Sequence, residues 1–179
     1  IEAELDNGID GIVITASGCG AMFKDYPHLL RNDDIYKEKA KRIADRTFDL
    51  TEVIDIDKLK TKLIDDKKSL NIAVHTPCTL QHAQKLPSNI ENILSSCGYQ
   101  LSKIRDKHLC CGSAGTYSIT QPKLSKQLRE QRLSGLMINQ PDLIVTANIG
   151  CLHHLNAGST VPIRHWVEII AEHLKSETV

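Results

Sequence analysis

Four cysteines and one histidine recur along the chain in the pattern C-x31-C-C-x39-C-x-x-H, formed by Cys78, Cys110, Cys111, Cys151 and His154. Thiols so far apart in sequence act together only if the fold gathers them. Gathered thiolates, with or without an imidazole, bind zinc, single iron ions and iron–sulfur clusters. The pattern therefore predicts a metal or cluster site, of a kind suited to electron transfer.

The adjacent pair Cys110 and Cys111 sets a geometric condition on that site. Neighbouring side chains on an extended strand point to opposite faces, so both thiols can face one centre only if the backbone turns. Gly112 and the small residues 113–115 permit such a turn and let main-chain amides approach a charged cluster. The alternative is two core cysteines beside a glycine turn.

Further histidines could support the centre. His75 and His82 lie on either side of the first cysteine of the pattern, as ligands or as hydrogen-bonding partners of ligands. His154 follows Cys151 by one helical turn, which suits ligation but also suits an ordinary surface position. Cys97 falls on the apolar face of a predicted helix, so we expect it in the core.

Two segments of the chain resemble each other. The β-branched run at 11–16 is followed by Gly18-Cys19, and the similar run at 143–147 is followed by Gly150-Cys151, if one inserted residue is allowed. This repeat predicts that residues 1–50 are the C-terminal remnant of a first copy and residues 51–179 the second, packed as one α/β unit. We expect the chain to be cut from a longer protein, and Cys19 to be a ligand whose partners precede residue 1.

The predicted elements alternate between strands and helices. Strands are predicted at 11–16, 70–76, 99–104 and 143–147, and helices at 33–48, 57–64, 89–97, 122–138 and 162–174. Such alternation favours an α/β fold, a parallel sheet flanked by helices in a Rossmann-like three-layer arrangement. Ligands gather at the carboxyl ends of strands in such sheets, and each cysteine of the pattern follows a predicted strand. The fold class therefore predicts that the thiols converge.

Composition narrows the function classes. The 179 residues carry 22 basic and 22 acidic side chains, so no overall charge draws the chain to nucleic acid or to an anionic membrane. No segment approaches the roughly 18 apolar residues of a membrane span. No G-x-G-x-x-G loop, Walker loop or C-x-x-C pair occurs. We expect a cytoplasmic protein that does not insert into membranes and does not itself bind flavin or nicotinamide.

Six stretches carry a resemblance to known proteins. The pattern of Cys78, Cys110-Cys111-Gly112 and Cys151, with the partial copy that ends in Cys19, resembles the CCG cysteine-rich domain. That domain occurs in duplicate in one subunit of heterodisulfide reductases and in iron–sulfur subunits of 2-hydroxyacid dehydrogenases. The chain most resembles the C-terminal region of the glycolate oxidase iron–sulfur subunit family, over nearly its whole length. The stretches are 17–20, 24–26, 75–82, 110–118, 146–151 and 162–166.

The resemblance implies a subunit that passes electrons from a separate FAD-containing flavoprotein, which oxidises glycolate to glyoxylate, toward the respiratory chain. It implies an iron–sulfur cluster, 4Fe-4S or related, held by the cysteines of the pattern and by Cys19, with His154 and His82 in support. The partners it implies are FAD-containing glycolate oxidase subunits, in a complex at the inner face of the cytoplasmic membrane. The chain alone would turn over no substrate.

One departure leaves the type of centre open. In the heterodisulfide reductase relatives the pattern ends in C-x-x-C, whereas His154 stands at the last position here. A simpler cluster, zinc or a single iron could then replace the cluster of those relatives. The first hypothesis is an electron-transfer subunit, the second a zinc-holding structural module that docks the flavoprotein. A thiol–disulfide enzyme of the heterodisulfide type is the third, and the departure disfavours it.

Overall fold

The computed structural model describes residues 1–64 and 70–175 and confirms the α/β fold, with parallel strands flanked by helices. The strands are β1 (Ile12–Ile14), β2 (Thr47–Asp49), β3 (Asn71–His75), β4 (Gln100–Leu101), β5 (Leu143–Thr146) and β6 (Ile163–His165). The helices are α1 (Glu2–Asp6), α2 (Ser17–Leu29), α3 (Lys37–Asp45), α4 (Leu50–Val53), α5 (Ile56–Lys62), a π-helical turn (Thr79–Ala83), α6 (Asn89–Ser96), α7 (Tyr117–Thr120), α8 (Pro122–Leu136), α9 (Ile149–Asn156) and α10 (Trp166–Ala171).

The strands form two parallel sheets. β1 pairs with β2, and the other four strands follow the order β4-β3-β5-β6. β5 is buried along its whole length and β3 over four of its five residues, as expected for central strands of a sheet covered on both faces. Their apolar, β-branched runs explain why the sequence predicts both strands within one residue or two.

Alternate residues of the central strands pack against helices on opposite faces of the sheet. Ile72 belongs to a buried cluster with Trp166 on the side of α6 and α10, while Ala73 belongs to one with Leu136 and Leu155 on the side of α8 and α9. This is the predicted three-layer arrangement. Cys97 is 2% exposed in the first cluster, which confirms its expected place in the core.

The two segments that the sequence predicts to be repeats resemble each other in more than one strand. The pair β1–β2, with α2 and α4, is arranged like the pair β5–β6, with α9 and α10. In both pairs the second strand runs directly into a helix whose cap is the last residue of that strand: Asp49 accepts from the amide of Thr51, and His165 from the amide of Val167. This likeness accords with a first and a second repeat, although the boundary near residue 50 stays a prediction.

Three element predictions are wrong. Residues 162–174 do not form one helix, because β6 occupies 163–165 and α10 begins only at Trp166. The predicted helix 33–48 is confined to Lys37–Asp45 and is followed by β2. Residues 17–20, whose two glycines predict a short loop after the first strand, are instead the first turn of α2. β2 and β6 are three-residue strands whose formation depends on a distant partner strand, which local periodicity does not reveal.

Smaller corrections concern side chains. Ser88 makes no capping hydrogen bond at the start of α6, so the capping box that Ser88 and Glu91 suggest is absent, and Glu91 pairs with Lys107 at 3.1 Å. The apolar spacing of α8 predicts that Leu124 points inward, but it is exposed, and Leu174 at the C-terminal end is exposed as well. Among the described residues no helix is long and apolar enough to cross a lipid bilayer.

Candidate metal centre

Five cysteines line one cavity of about 360 Å³ at the carboxyl ends of the strands. Cys78 follows β3, Cys110 and Cys111 lie after the loop that leaves β4, and Cys151 and Cys19 stand in the first turns of α9 and α2. Because the strands within each sheet are parallel, the segments that leave them meet at the same edge. The structure thus brings these thiols together, including Cys19, for which the sequence predicted partners elsewhere.

The thiols contact one another directly. The Sγ atoms of Cys111 and Cys151 lie 3.1 Å apart. Cys110 accepts hydrogen bonds from the thiols of Cys111 and Cys78, and the amide of Gly112 donates to its Sγ at 3.3 Å. These contacts lower the pKa of Cys110, and the same hydrogen bonds raise the pKa of Cys78 and of Cys111. Among these three thiols, Cys110 is therefore the one whose neighbours favour the thiolate.

A glycine turn allows the adjacent cysteines to share the cavity. Gly112 has a φ of +90°, in the left-handed region, and a Cβ at this position would collide with the carbonyl of Ser125. The hydroxyl of Ser125 donates to the carbonyl of Gly112 at 2.7 Å and fixes the turn against α8. Only glycine meets both conditions without strain. The turn predicted from Cys-Cys-Gly is therefore present.

His75 lies beside the thiols and is buried. Its Nδ1 is 2.9 Å from the hydroxyl of Thr146, and one of its ring nitrogens lies within 4.8 Å of the Sγ atoms of Cys111 and Cys151. Burial, aided by the positive charge of Arg132, lowers the pKa of His75 to about 3. The imidazole is thus neutral at physiological pH, the state in which it can bind a metal.

The other two candidate histidines do not line the cavity. The Nε2 of His154 lies 3.1 Å from the hydroxyl of Ser125 and 3.3 Å from its carbonyl, behind the glycine turn. His82 is exposed, with Nε2 3.4 Å from the carbonyl of His108. The spacing of Cys151 and His154 on one helical turn predicts a shared ligand site, but it gives no sign of the contacts between the imidazole of His154 and Ser125. The structure does not support the expected ligation by His154.

The part of the chain that holds four of the thiols is similar to a known protein family. Residues 72–156 match the family of cysteine-rich domains named CCG. This stretch of the chain is similar to CCG domains. The match covers Cys78, Cys110, Cys111 and Cys151 together with the strands β3, β4 and β5 that position them.

Curated relatives extend the likeness beyond the CCG domain. The chain is 44% identical over 173 residues to the glycolate oxidase iron–sulfur subunit of Escherichia coli (strain K12), which is 97% of this chain and 42% of that protein. It is 28% identical over 165 residues to lactate utilization protein A of Bacillus licheniformis and 27% identical to that of Bacillus subtilis (strain 168), covering 88% of this chain and 69% of each relative. The resemblance expected from the sequence is confirmed.

Two helices begin at the cavity and favour negative charge there. Cys151 and Cys19 are each the third residue of their helix. The side chain of Asn148 caps α9 by accepting from the amides of Gly150 and Cys151, whereas the N-cap residue of α2, Ala16, makes no side-chain cap. A helix N-terminus carries partial positive charge, so both helices favour a negatively charged group in the cavity.

The residues of this cavity fit a thiolate-held centre. Five thiols and two helix N-termini line one space, an amide donates to the sulfur of Cys110, and a buried neutral imidazole lies within 4.8 Å of two of the thiols. Soft ligands of this kind suit zinc and iron–sulfur clusters and do not suit magnesium or calcium, which prefer oxygen. The donor set thus limits the chemistry to soft metals, to iron–sulfur clusters or to the thiols themselves.

Proposed function

We propose that this chain is part of the iron–sulfur subunit of a 2-hydroxyacid-oxidising complex. In this proposal Cys78, Cys110, Cys111 and Cys151 hold an iron–sulfur cluster of the 4Fe-4S or a related type, and Cys19 is a fifth thiol on the exposed side. The observation that carries the proposal is the cavity that all five thiols line. An iron–sulfur cluster would supply one-electron transfer, while the protein sets its potential through burial and hydrogen bonds to sulfur.

The substrate and the partners are part of the same proposal. The name of the E. coli relative, at 44% identity, favours a complex that oxidises glycolate, and the names of the more distant relatives make lactate the alternative. Electrons would come from an FAD-containing subunit and pass toward the respiratory chain. We place the complex in the cytoplasm, at the inner face of the cytoplasmic membrane, and assign no substrate turnover to this chain alone.

We also propose that the chain contains parts of two CCG repeats, residues 1–50 and 51–179. The support is structural: β1–α2 and β5–α9 each deliver a cysteine to the cavity from the third residue of a helix. Hydrogen bonds join the two parts, from the amide of Ser17 to the carbonyl of Ala147 and from Nε2 of His165 to the carbonyl of Thr15. The cavity would then lie between the repeats.

A zinc-holding module is the second candidate function. The observation in its favour is the buried group of His75, Cys111 and Cys151, whose ligand atoms lie within 4.8 Å of one another. Mixed cysteine and histidine ligation is typical of structural zinc. Such a centre would stabilise the fold and the docking surface without carrying electrons.

Anaerobic purification followed by analysis for iron, sulfide and zinc separates these functions. We expect a coloured protein that contains iron and sulfide, and we expect Cys111→Ser to lose both. Cys97→Ser is the matched control, because Cys97 is buried in the opposite core cluster and should leave the centre intact. A colourless protein with stoichiometric zinc would refute the cluster and support the second function. A protein that takes up neither metal would refute both and leave thiol–disulfide chemistry of the close pair Cys111 and Cys151.

A further inference from the structure

Ser125 carries a buried hydroxyl that bonds to the turn after the paired cysteines. It is the fourth residue of α8, it is 1% exposed, and its Oγ donates to the carbonyl of Gly112 at 2.7 Å. A Cβ at residue 112 would collide with the carbonyl of Ser125 and lie 3.0 Å from the Cβ of Leu128, almost one turn further along α8. The turn at Gly112 therefore lies directly against α8.

Gly112 connects this hydroxyl to a sulfur of the cavity. Its amide donates to the Sγ of Cys110 at 3.3 Å, while its carbonyl accepts from Ser125. The hydrogen bond from Ser125 and the φ of +90° fix the orientation of Gly112, so they also fix the direction of its N–H toward the sulfur. The position of the Ser125 hydroxyl therefore controls a hydrogen bond to one of the thiols.

His154 in turn holds the hydroxyl of Ser125. Its Nε2 lies 3.1 Å from the Oγ of Ser125 and 3.3 Å from the carbonyl of the same residue. A carbonyl only accepts, and the single hydroxyl proton of Ser125 already points to Gly112, so Nε2 must carry a proton. The donors then form a chain from His154 through Ser125 to the carbonyl of Gly112. Successive hydrogen bonds in such a chain strengthen one another.

We propose that Ser125 and His154 position the amide of Gly112 on the sulfur of Cys110, and thereby raise the affinity for a thiolate-held metal and the reduction potential of an iron–sulfur cluster. Neither side chain lines the cavity, so both are positioning residues. This role rests on the thiolate site of the proposed function, and it is the same for a cluster and for zinc. It gives the histidine of the C-x-x-H pattern a use other than ligation.

The hydrogen bond to sulfur sets the direction of the effects. An amide N–H stabilises negative charge on sulfur, so it favours the thiolate that binds a metal and the more negative, reduced form of a cluster. Loss of this one hydrogen bond should change either equilibrium about threefold to tenfold. Both metal affinity and midpoint potential should therefore fall when the chain of donors is broken.

Substitutions on two helices separate the hydrogen bonds from packing. Ser125→Ala removes the hydroxyl and His154→Ala removes the Nε2 donor, whereas His154→Gln keeps a side-chain N–H at a similar reach. Ser134→Ala on α8 and His153→Ala on α9 are the matched controls, because both residues are exposed on the same helices. Each variant is made in the full chain and kept anaerobic.

The first measurement is titration of metal-free protein with Co²⁺, followed through thiolate-to-cobalt absorption. We expect Ser125→Ala and His154→Ala to weaken Co²⁺ binding about threefold to tenfold. Both should also move the absorption to longer wavelength, because a sulfur that has lost its hydrogen bond gives up electrons more readily. His154→Gln and the two controls should stay within about twofold of the wild type.

The second measurement is redox titration of the reconstituted iron–sulfur protein. Ser125→Ala and His154→Ala should lower the midpoint potential by about 30 to 60 mV, since a tenfold change in a one-electron equilibrium corresponds to about 59 mV. His154→Gln and the two controls should keep the potential of the wild type. A loss of packing alone would not produce this pattern, because it would not be reversed by a side chain that only restores the donor.

Several results would overturn the proposal. Wild-type affinity, absorption and potential in Ser125→Ala would show that the Gly112 amide does not depend on the hydroxyl. Equal loss in His154→Ala and His154→Gln would show that the N–H donor is not what His154 supplies. Losses that follow thermal stability without a shift in absorption would show that Ser125 only packs α8. If Ser125→Ala does not fold, His154→Ala still decides, because wild-type binding and potential in that variant contradict the proposal.

The wild type separates this proposal from the proposed function. A wild type that binds Co²⁺ through thiolates but takes up no iron and sulfide refutes the cluster, and the Co²⁺ titrations of the variants still decide the role of Ser125 and His154. A wild type without thiolate–cobalt absorption refutes both.

Discussion

In the unit β1–α2, Cys19 is exposed at the rim of the cavity, whereas in the matching unit β5–α9, Cys151 is 6% exposed and its Sγ lies 3.1 Å from that of Cys111. Both cysteines are the third residue of a helix that follows a strand, and both strands pair in parallel with a later strand. The pairing aligns Ile12 with Ile144 and Cys19 with Cys151, without the inserted residue that the sequence comparison required.

The neighbours of the two units account for the difference. β5 lies between β3 and β6, and both the segment after β3 and the loop from β4 bring thiols to Cys151. β1 pairs only with β2 within the described part of the chain, and Val13 in its middle is 47% exposed. A strand followed by a helix with cysteine at its third position thus places a thiol at the edge of a sheet. Whether that thiol contacts other thiols depends on the segments that follow the adjacent strands.

Serine substitutions at the two matched cysteines should give the largest contrast. Cys151→Ser should abolish the bound centre, because Cys151 is buried among the thiols, while Cys19→Ser should leave most of the iron in place, because four thiolates remain. Iron and sulfide content and visible absorption after anaerobic reconstitution measure both. Equal loss in the two variants would show that Cys19 and Cys151 contribute equally to the centre.

The helix caps provide a second contrast, of about 1 kcal/mol. Asn148 caps α9 through two backbone amides and also donates from Nδ2 to the hydroxyl of Ser17 at 3.3 Å, whereas Ala16 cannot cap α2. Asn148→Ala should therefore lower the free energy of unfolding by about 1 kcal/mol, and Ala16→Ser should raise it by up to about the same amount. Urea denaturation at pH 7 measures both. An unchanged urea midpoint for Asn148→Ala would show that the Asn148 cap does not contribute to the free energy of unfolding.

The contrast between the units β1–α2 and β5–α9 also shows which parts of the structure can be predicted from the sequence. β3, β5, α8 and the convergence of four thiols follow from buried apolar runs and from the rule that ligands gather at the carboxyl ends of parallel strands. The position of Cys19 beside the other thiols cannot be predicted in this way. It depends on hydrogen bonds between segments about 130 residues apart, such as the bond from the amide of Ser17 to the carbonyl of Ala147.

Side-chain choices in the site were harder to predict than the backbone. His154 has a ligand's spacing, yet Ser125 on another helix competes for its imidazole. Arg132 belongs to a largely polar helix, so the sequence predicts an exposed side chain, but Arg132 is buried. The hydrogen bond of His154 and the burial of Arg132 both depend on how the helices pack against the rest of the fold, which the local sequence does not show. The Cys-Cys-Gly turn was predictable because the two thiols and Gly112 constrain the backbone directly.

A smaller effect should appear in the pH dependence of stability. The counterpart of the Asp49 cap is His165, whose Nε2 donates to Thr15 while Nδ1 accepts from Val167. Burial lowers the pKa of His165, an effect opposed by the hydrogen bond to Thr15 and by the charges of Glu168 and Asp49. Its folded pKa thus lies below the unfolded value of about 6.5, so the unfolded state binds more protons and stability is lost as the pH falls below about 6.5.

The variant His165→Asn tests this assignment. Asparagine can still cap α10 but does not titrate, so the variant should lose less stability than the wild type between pH 7 and pH 5. Urea denaturation at both values measures the difference, and other groups that titrate, including His75, cancel in the comparison. Parallel losses in the two proteins would show that His165 does not contribute.

The smallest contrast concerns two matched glutamates at the third helical position. Glu52 of α4 pairs with Lys24 of α2 at 2.7 Å, whereas its counterpart Glu168 of α10 pairs with Arg164 of the preceding strand at 3.2 Å. Lys24→Met therefore removes the ion pair that joins α2 to α4 but leaves the capping box of Glu52 intact. Because both side chains are partly exposed, we expect a loss of about 0.5 kcal/mol that 1 M salt largely removes. A loss that persists in salt would mean that the stem of Lys24, and not its charge, holds α2 against α4.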